Sequence, residues 1–229
     1  MDELYPIFLR LNAKPVLIVG GGAVALRKTE GLLAAGARVT VVSLAFHPGF
    51  AAWSAVQCIT SAYEADCLAV AGTARWTIVF AATNNESVNT RIYADSAARG
   101  ILCCRCDMPL VGDFIGPAVQ RCGPVTLAVT SGGASPGLSG KLARQLTRSM
   151  DPALIRQIQL SAGWRQEVLR QVSDGEIRSS LLRRISGELM LETIQQAGEA
   201  EAEKLFQQWL TQAMNSSATV ADQATKPRV

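Results

Sequence analysis

The sequence predicts an α/β fold: a doubly wound parallel sheet in the first half of the chain and a helical region in the second. Three observations predict it. Residues 15–45 form a strand, glycine turn, helix, strand unit. Apolar runs then alternate with helical stretches up to residue 112, the pattern of a parallel sheet with crossover helices. From about Leu138 onward, strand patterning gives way to helical periodicity.

The apolar run Val16–Val19 reads as a buried strand that enters Gly20, Gly21 and Gly22. A helix follows to about Ala35 and closes at Gly36, and Val39–Val42 is the next strand. Gly20-x-Gly22-x-x-Ala25 is a dinucleotide-binding fingerprint in the context it requires, so a Rossmann-like domain is expected. Gly20 permits the tight turn, Gly22 lets backbone approach a pyrophosphate, and Ala25 lets the helix pack close to the sheet. The helix N-terminus offers unpaired N–H groups and a positive dipole end to the phosphates. Candidate cofactor residues are Gly20, Gly21, Gly22, Ala23 and Val24 at the turn, with Ser43, Leu44 and Ala45 at the end of the second strand. No carboxylate stands there for the ribose hydroxyls and no arginine for a 2′-phosphate, so the motif leaves NAD and NADP both open.

Trp76–Ala82 is the following strand and ends in Thr83-Asn84-Asn85. Glu86–Arg99 is a helix closed by Gly100, and Ile101–Cys106 is a strand ending at Asp107-Met108-Pro109. Ligands of such sheets sit beyond the carboxyl ends of the strands, so Thr83 and Asn84 join the cofactor candidates and Asp107 becomes a candidate for chemistry. The character changes after Pro109. Phe114–Arg121 and Val125–Thr130 read as strands, and residues 131–136 (Ser-Gly-Gly-Ala-Ser-Pro) form a turn-rich loop. Helices run from about Leu138 to Gln212, with breaks near Asp151-Pro152, Ser173-Asp174-Gly175 and Gly187. Leu181, Leu182, Ile185, Leu189 and Leu191 suit one packed helix face. The expected divisions are 1–112, 113–150 and 151–214, with 215–229 a flexible tail.

With 229 residues, 48% of them hydrophobic, the chain can bury a core as one large domain or two small ones. A net charge of +3 makes no case for nucleic acid. No apolar stretch is long enough to span a membrane, and the acidic start Met1-Asp2-Glu3 does not read as a signal peptide. The six cysteines are therefore expected as reduced thiols, and the location as cytoplasmic. The single histidine, His47, lies before Pro48, which argues against a histidine metal site or triad. On a strand Cys104 and Cys106 share a face and Cys103 points away. With no second cysteine pair and no histidine to complete a site, these read as buried thiols, and no metal site is expected.

Residues 114–186 hold ten Lys and Arg against four Asp and Glu. Lys141, Arg144 and Arg148 recur at helical spacing and share a face, either a solvated one or a cationic wall for a polyanionic small molecule. Ser131 is a poor nucleophile with no histidine near it in sequence. Its hydroxyl and the N–H groups of Gly132 and Gly133 suit a carboxylate better.

Five features resemble the siroheme synthase family, the precorrin-2 dehydrogenases / sirohydrochlorin ferrochelatases. They are Tyr5-Pro6-Ile7-Phe8, the glycine turn from Val19 to the basic pair Arg27-Lys28, Ala81-Ala82-Thr83-Asn84, Cys104-Arg105-Cys106-Asp107-Met108-Pro109, and residues 130–136 (Thr-Ser-Gly-Gly-Ala-Ser-Pro). They follow the family's order over residues 5–136. The family carries asparagine where this chain has Cys104, and Arg105 adds a cation two residues before the acid. The resemblance implies NAD-dependent oxidation of precorrin-2 to sirohydrochlorin, with ferrous iron insertion to give siroheme as a second activity it allows. Asp107 would act as the proton acceptor; by charge, glycine context and helical spacing, Arg121, Ser131, Gly132, Gly133, Lys141 and Arg144 are the candidates to hold the substrate's carboxylates. It further implies a homodimer joined through residues 113–150. With about ninety residues after the serine loop and no methyltransferase domain among them, the free-standing form of the enzyme is expected. Some family members carry a phosphorylated serine at the position of Ser131, which would set negative charge against a polycarboxylate. A regulatory NAD(H)-sensing module is the competing expectation; it accounts for the fingerprint but not for Asp107, the serine loop or the basic face.

Overall fold

In the computed structural model, residues 3–69 and 75–225 are described. The chain divides into two compact units. The first is Met1–Pro117 with Thr130–Leu138, and the second is Ala118–Val129 with Ser139–Val229. The expected boundary at residue 112 thus moves, because the segment 118–129 clusters with the helices and the serine loop clusters with the sheet.

The first unit is the expected parallel sheet. Its elements are β1 (Pro15–Val19), α1 (Ala23–Ala34), β2 (Arg38–Ser43), β3 (Gln57–Thr60), β4 (Ile78–Ala81), α2 (Glu86–Ala98) and β5 (Leu102–Arg105). The strand order is β3-β2-β1-β4-β5, parallel throughout. The chain winds outward from β1 to β3, then crosses back to lay β4 beside β1, which makes the β1/β4 boundary a topological switch point. Successive side chains alternate between two apolar layers. Val16, Ile18, Val39, Val41, Ile78, Phe80 and Cys104 pack on the α1 side with Ala25 and Leu32. Leu17, Val19, Val42, Val79, Ala81 and Cys103 pack on the α2 side with Ile92. Burial on both faces is why these strands read as continuous apolar runs. β3 was not expected from the sequence. It is an edge strand exposed along its length, so it has no apolar run to reveal it.

The second unit opens with an antiparallel hairpin of β6 (Ala118–Cys122) and β7 (Val125–Val129), turned by Gly123 at φ 54° and Pro124. The first of these strands is shorter than expected, because Phe114 is taken up by the first unit's core, edge-on to Phe80 with ring centroids 5.4 Å apart. Helices follow: α3 (Pro136–Arg148), α4 (Pro152–Gln171), α5 (Gly175–Ile185), α6 (Glu188–Ala197) and α7 (Glu199–Thr225). Asp151 and Asp174 cap α4 and α5 through backbone N–H groups, and Gly187 caps α6, so all three expected breaks fall at helix starts. The helical core holds Trp164, Val168, Leu181, Ile185, Met190, Phe206 and Trp209, with Trp164 stacked on Phe206.

Two expectations are corrected in this unit. Leu189 is 58% exposed and Met190 is buried in its place, because the break at Gly187 resets the helical phase between α5 and α6. The expected tail from 215 is helical to Thr225, while residues 226–229 lie outside the described residues. Ser217 on α7 is buried, 2.9 Å from the Ser173 hydroxyl, and accepts from the Asp174 N–H at 3.1 Å. Among the described residues no helix is long and apolar enough to cross a membrane.

Candidate functional site

The strand ends at the switch point assemble the site. After β1, Gly20 adopts φ +115°, and a Cβ there would lie 2.3 Å from the Ala82 carbonyl oxygen, so β1 and β4 can end side by side only if residue 20 is glycine. Gly21 is buried, and a Cβ on it would meet the Ala45 carbonyl oxygen at 2.2 Å. Its own carbonyl accepts from the His47 N–H at 2.7 Å, so Gly21 joins the ends of β1 and β2. Gly22 is exposed and has open space where a side chain would project. It is the N-cap of α1, with no side-chain capping bond and no acidic residue in the first turn, and Ala23 and Val24 beside it are exposed. That leaves the first turn of α1 to an anionic ligand, and the cradle fits a dinucleotide's pyrophosphate. Ser43 at the end of β2 is half-buried, whereas Leu44 and Ala45 are exposed.

Beside this turn, Thr83 and Asn89 clasp the β4–α2 connection. The Thr83 N–H and hydroxyl lie 3.2 and 2.7 Å from Asn89 Oδ1, and Asn89 Nδ2 donates to the Thr83 carbonyl at 3.0 Å. Asn89 is fully buried, and Asn85 caps α2 by accepting from the N–H groups of Ser87 and Val88. Thr83 therefore shapes the turn that presents exposed Asn84.

One strand further along, Ala81 pairs with Arg105 across β4 and β5, which sets Asp107 beyond the sheet edge of that pair. Arg105 is 2% exposed. Its guanidinium grips Asp107 with both prongs, Nε to Oδ1 at 2.9 Å and Nη2 to Oδ2 at 2.7 Å, while Nη1 donates to the Thr90 hydroxyl at 3.1 Å. The Asp107 carboxyl is held down to about 2, first by the Arg105 hydrogen bonds, against some desolvation, with Asn89 contributing a further hydrogen bond. Its side chain keeps 25% of its surface open. The chain after Asp107 folds back on β5. Asp113 Oδ2 accepts from the Cys103 N–H at 2.8 Å, and Gly112 lies where a Cβ would meet the Arg105 nitrogen at 2.7 Å.

The cysteines divide between faces as expected: Cys104 and Cys106 lie with the α1-side core and Cys103 with the α2-side core. Burial pushes Cys103 up to about 12. Cys104 is lowered by its hydrogen bond with Cys106 and by the Lys28 ammonium, and Cys106 is raised in turn. Among the described residues no three His, Cys, Asp or Glu side chains converge on a common point for a metal ion.

In the serine loop, Ser131 Oγ accepts from the Ser135 N–H at 2.8 Å, and Gly132 and Gly133 adopt φ of 62° and 89°. A Cβ on Gly133 would lie 3.5 Å from Leu110, so this loop neighbours the turn that follows Asp107. Arg121 on β6 and Lys141 and Arg144 on α3 are exposed in the second unit. The clamp of Arg105, Thr90 and Asn89 around Asp107 escaped sequence reasoning. Its one visible signal was an arginine placed inside an apolar strand.

Residues 7–118 match the family NAD_binding_7, described as NAD(P)-binding, so the glycine turn lies in an NAD(P)-type module. The siroheme synthases of Escherichia coli O139:H28 and Shigella boydii serotype 18 are each 40% identical over 163 residues, 71% of this chain. Over that segment the chain is similar to siroheme synthases. It spans 35% of the length of those siroheme synthases. A solved structure, "SirC, precorrin-2 dehydrogenase", matches with a TM-score of 0.73 over 90% of this chain and 100% of that one, at 22% identity, which shows a shared fold.

Proposed function

We propose that this siroheme synthase relative oxidises precorrin-2 to sirohydrochlorin. The observation that carries the proposal is the Asp107 carboxyl, gripped by Arg105 just beyond β5, at the same ends of the parallel strands as the glycine turn and the Thr83–Asn84 turn. NAD, when bound, supplies the hydride acceptor. The chain does the rest. Gly22 and the first turn of α1 hold the pyrophosphate, and Gly20 and Gly21 keep the strand ends close enough to form the cradle. Ser43-Leu44-Ala45 puts neither acid nor base at the ribose, and NAD is proposed as the acceptor because the family resemblance implies it. Asp107 presents a carboxylate to the reacting ring. Ser131, Gly132 and Gly133, which neighbour the turn after Asp107, are proposed to bind the substrate's carboxylates, together with Arg121, Lys141 and Arg144.

Ferrous iron insertion is proposed as a second activity, with iron as substrate and the macrocycle's nitrogens as ligands. A homodimer is proposed as well. Leu138, Leu142 and Leu146 recur at helical spacing and form an exposed stripe along α3, 64%, 47% and 42% open. The proposed setting is the cytoplasm, which suits six unpaired cysteines.

Incubating the purified protein with precorrin-2 and NAD tests the proposal. Sirohydrochlorin should appear in step with NADH, and adding ferrous or cobalt ion should carry the product on to the metallated macrocycle. Tight NAD binding with no turnover would instead identify an NAD(H)-sensing module.

A further inference from the structure

We propose that Arg105 is a positioning residue that keeps Asp107 a fixed anion facing the substrate rather than a carrier of protons. The inference rests on the dehydrogenase reading above and deepens it. Both carboxylate oxygens of Asp107 are occupied by the planar fork of Arg105, at 2.9 and 2.7 Å. That fork is buried and fixed at its third nitrogen by Thr90 of α2. A bidentate guanidinium contact fixes orientation as well as charge, which a lysine ammonium would not do. Protonating the carboxylate would cost the bond at the protonated oxygen and leave the buried guanidinium without its counter-charge, so the acid form is strongly disfavoured.

The charged and polar groups around the pair act in one direction. Arg105 faces Asp107 from β5 and Asn89 from α2, both favouring the carboxylate. Glu86 acts on Arg105 in the same sense, favouring the charged guanidinium. Lys28 of α1 acts on Cys104, the thiol beside Arg105. The carboxyl held at about 2 agrees with the geometry.

A base this weak is a poor acceptor at neutral pH, because efficient proton transfer needs a group matched to the working pH. The step then balances as follows. A C–H bond of the macrocycle breaks and its electron pair leaves as hydride to the nicotinamide. The positive charge that develops on the ring is stabilised by Asp107, and the accompanying proton passes to water. Fixed charges aimed at a developing charge contribute without reorganising at the moment of reaction.

The test reads Asp107 directly. The side-chain carboxyl carbons of the aspartates are labelled with carbon-13 and titrated by NMR in the protein free of NAD and substrate. In the wild type, Asp107 should stay ionised down to about pH 3. In Arg105→Met its midpoint should rise to 3.8 or above. The kcat of that variant should fall at least about tenfold, with KM for NAD within about twofold, and an acid limb should enter its pH profile where the wild type is flat. Arg105→Lys, which keeps the charge and loses the fork, should hold the low midpoint better than it holds kcat. It also carries the test if Arg105→Met does not fold. An Asp107 that titrates between about pH 5 and 7 in the wild type, or a midpoint unmoved by Arg105→Met, overturns the proposal. A wild type that fails to oxidise precorrin-2 defeats the dehydrogenase reading alone, since the titration decides the role of Arg105 without turnover.

Discussion

Gly22→Asp should remove dinucleotide binding without harming the fold. Gly22 is the N-cap of α1 at φ −81° and ψ −172°, a conformation open to any residue, and a Cβ there meets nothing within 4 Å. Aspartate is a preferred N-cap and gains a few tenths of a kcal/mol over glycine, so the melting temperature of the ligand-free protein should hold or rise slightly. The same carboxylate would take first-turn N–H groups from the pyrophosphate and set a negative charge against it. At a separation of about 4 Å and an effective dielectric near 20, one such charge pair costs about 4 kcal/mol, and roughly half of that survives salt screening. Adding about 1 kcal/mol for the displaced hydrogen bonds gives a loss of about 3 kcal/mol, or at least about 100-fold in affinity. Calorimetric titration with NAD, paired with thermal unfolding, measures both halves. Gly20→Ala provides the contrast. It forces a Cβ to 2.3 Å from the Ala82 carbonyl at a positive φ and should cost about 1–3 kcal/mol of stability or more. If Gly22→Asp binds NAD within about threefold of wild type, the pyrophosphate does not sit on this turn.

Other outcomes follow from the same geometry. Asp107→Ala should lower kcat about 10²-fold or more with NAD affinity kept; retention of over half the wild-type rate would leave Asp107 as a turn former only. Because the folded-state value of Asp107 lies below its ordinary 3.8, the stability it adds is present above about pH 4 and disappears as the pH falls toward 2. Asp107→Asn should accordingly melt lower than wild type at pH 7, with the gap closing in acid. Ser131→Asp keeps an acceptor for the Ser135 N–H, so the loop should survive while KM for the tetrapyrrole rises and KM for NAD stays constant. Unaltered tetrapyrrole binding would remove the serine loop from the substrate site. Leu142→Glu with Leu146→Glu places charge on the exposed α3 stripe and should shift the protein from dimer to monomer in sedimentation. An unchanged dimer moves the interface elsewhere.

Local pattern and local chemistry made much of the first unit legible. β1, the glycine turn, α1 and β2 are contiguous, each is buried on both faces or packed on one, and periodicity and glycine punctuation report such burial directly. The helix breaks at Asp151, Asp174 and Gly187 were readable for the same reason, since a cap is a bond between near neighbours in sequence. Asp107 could be placed at a strand end from the run of residues before it.

Tertiary structure decided what depends on partners distant in the chain. β3 carries no apolar signal and exists because β2 offers it a pairing edge. Ser217 is buried because α7 runs on to meet the start of α5, so a polar stretch that reads as a tail becomes a docked helix. Arg105 could be counted from the sequence as an added cation. Its role follows from the register that pairs it with Ala81 and from α2, which brings Thr90 to its third nitrogen and Asn89 to its carboxylate partner. The charge state of Asp107 is thus a property of three elements packed together. A window of sequence around Asp107 contains Arg105, but Thr90 and Asn89, which fix the fork and add a further hydrogen bond, come from α2.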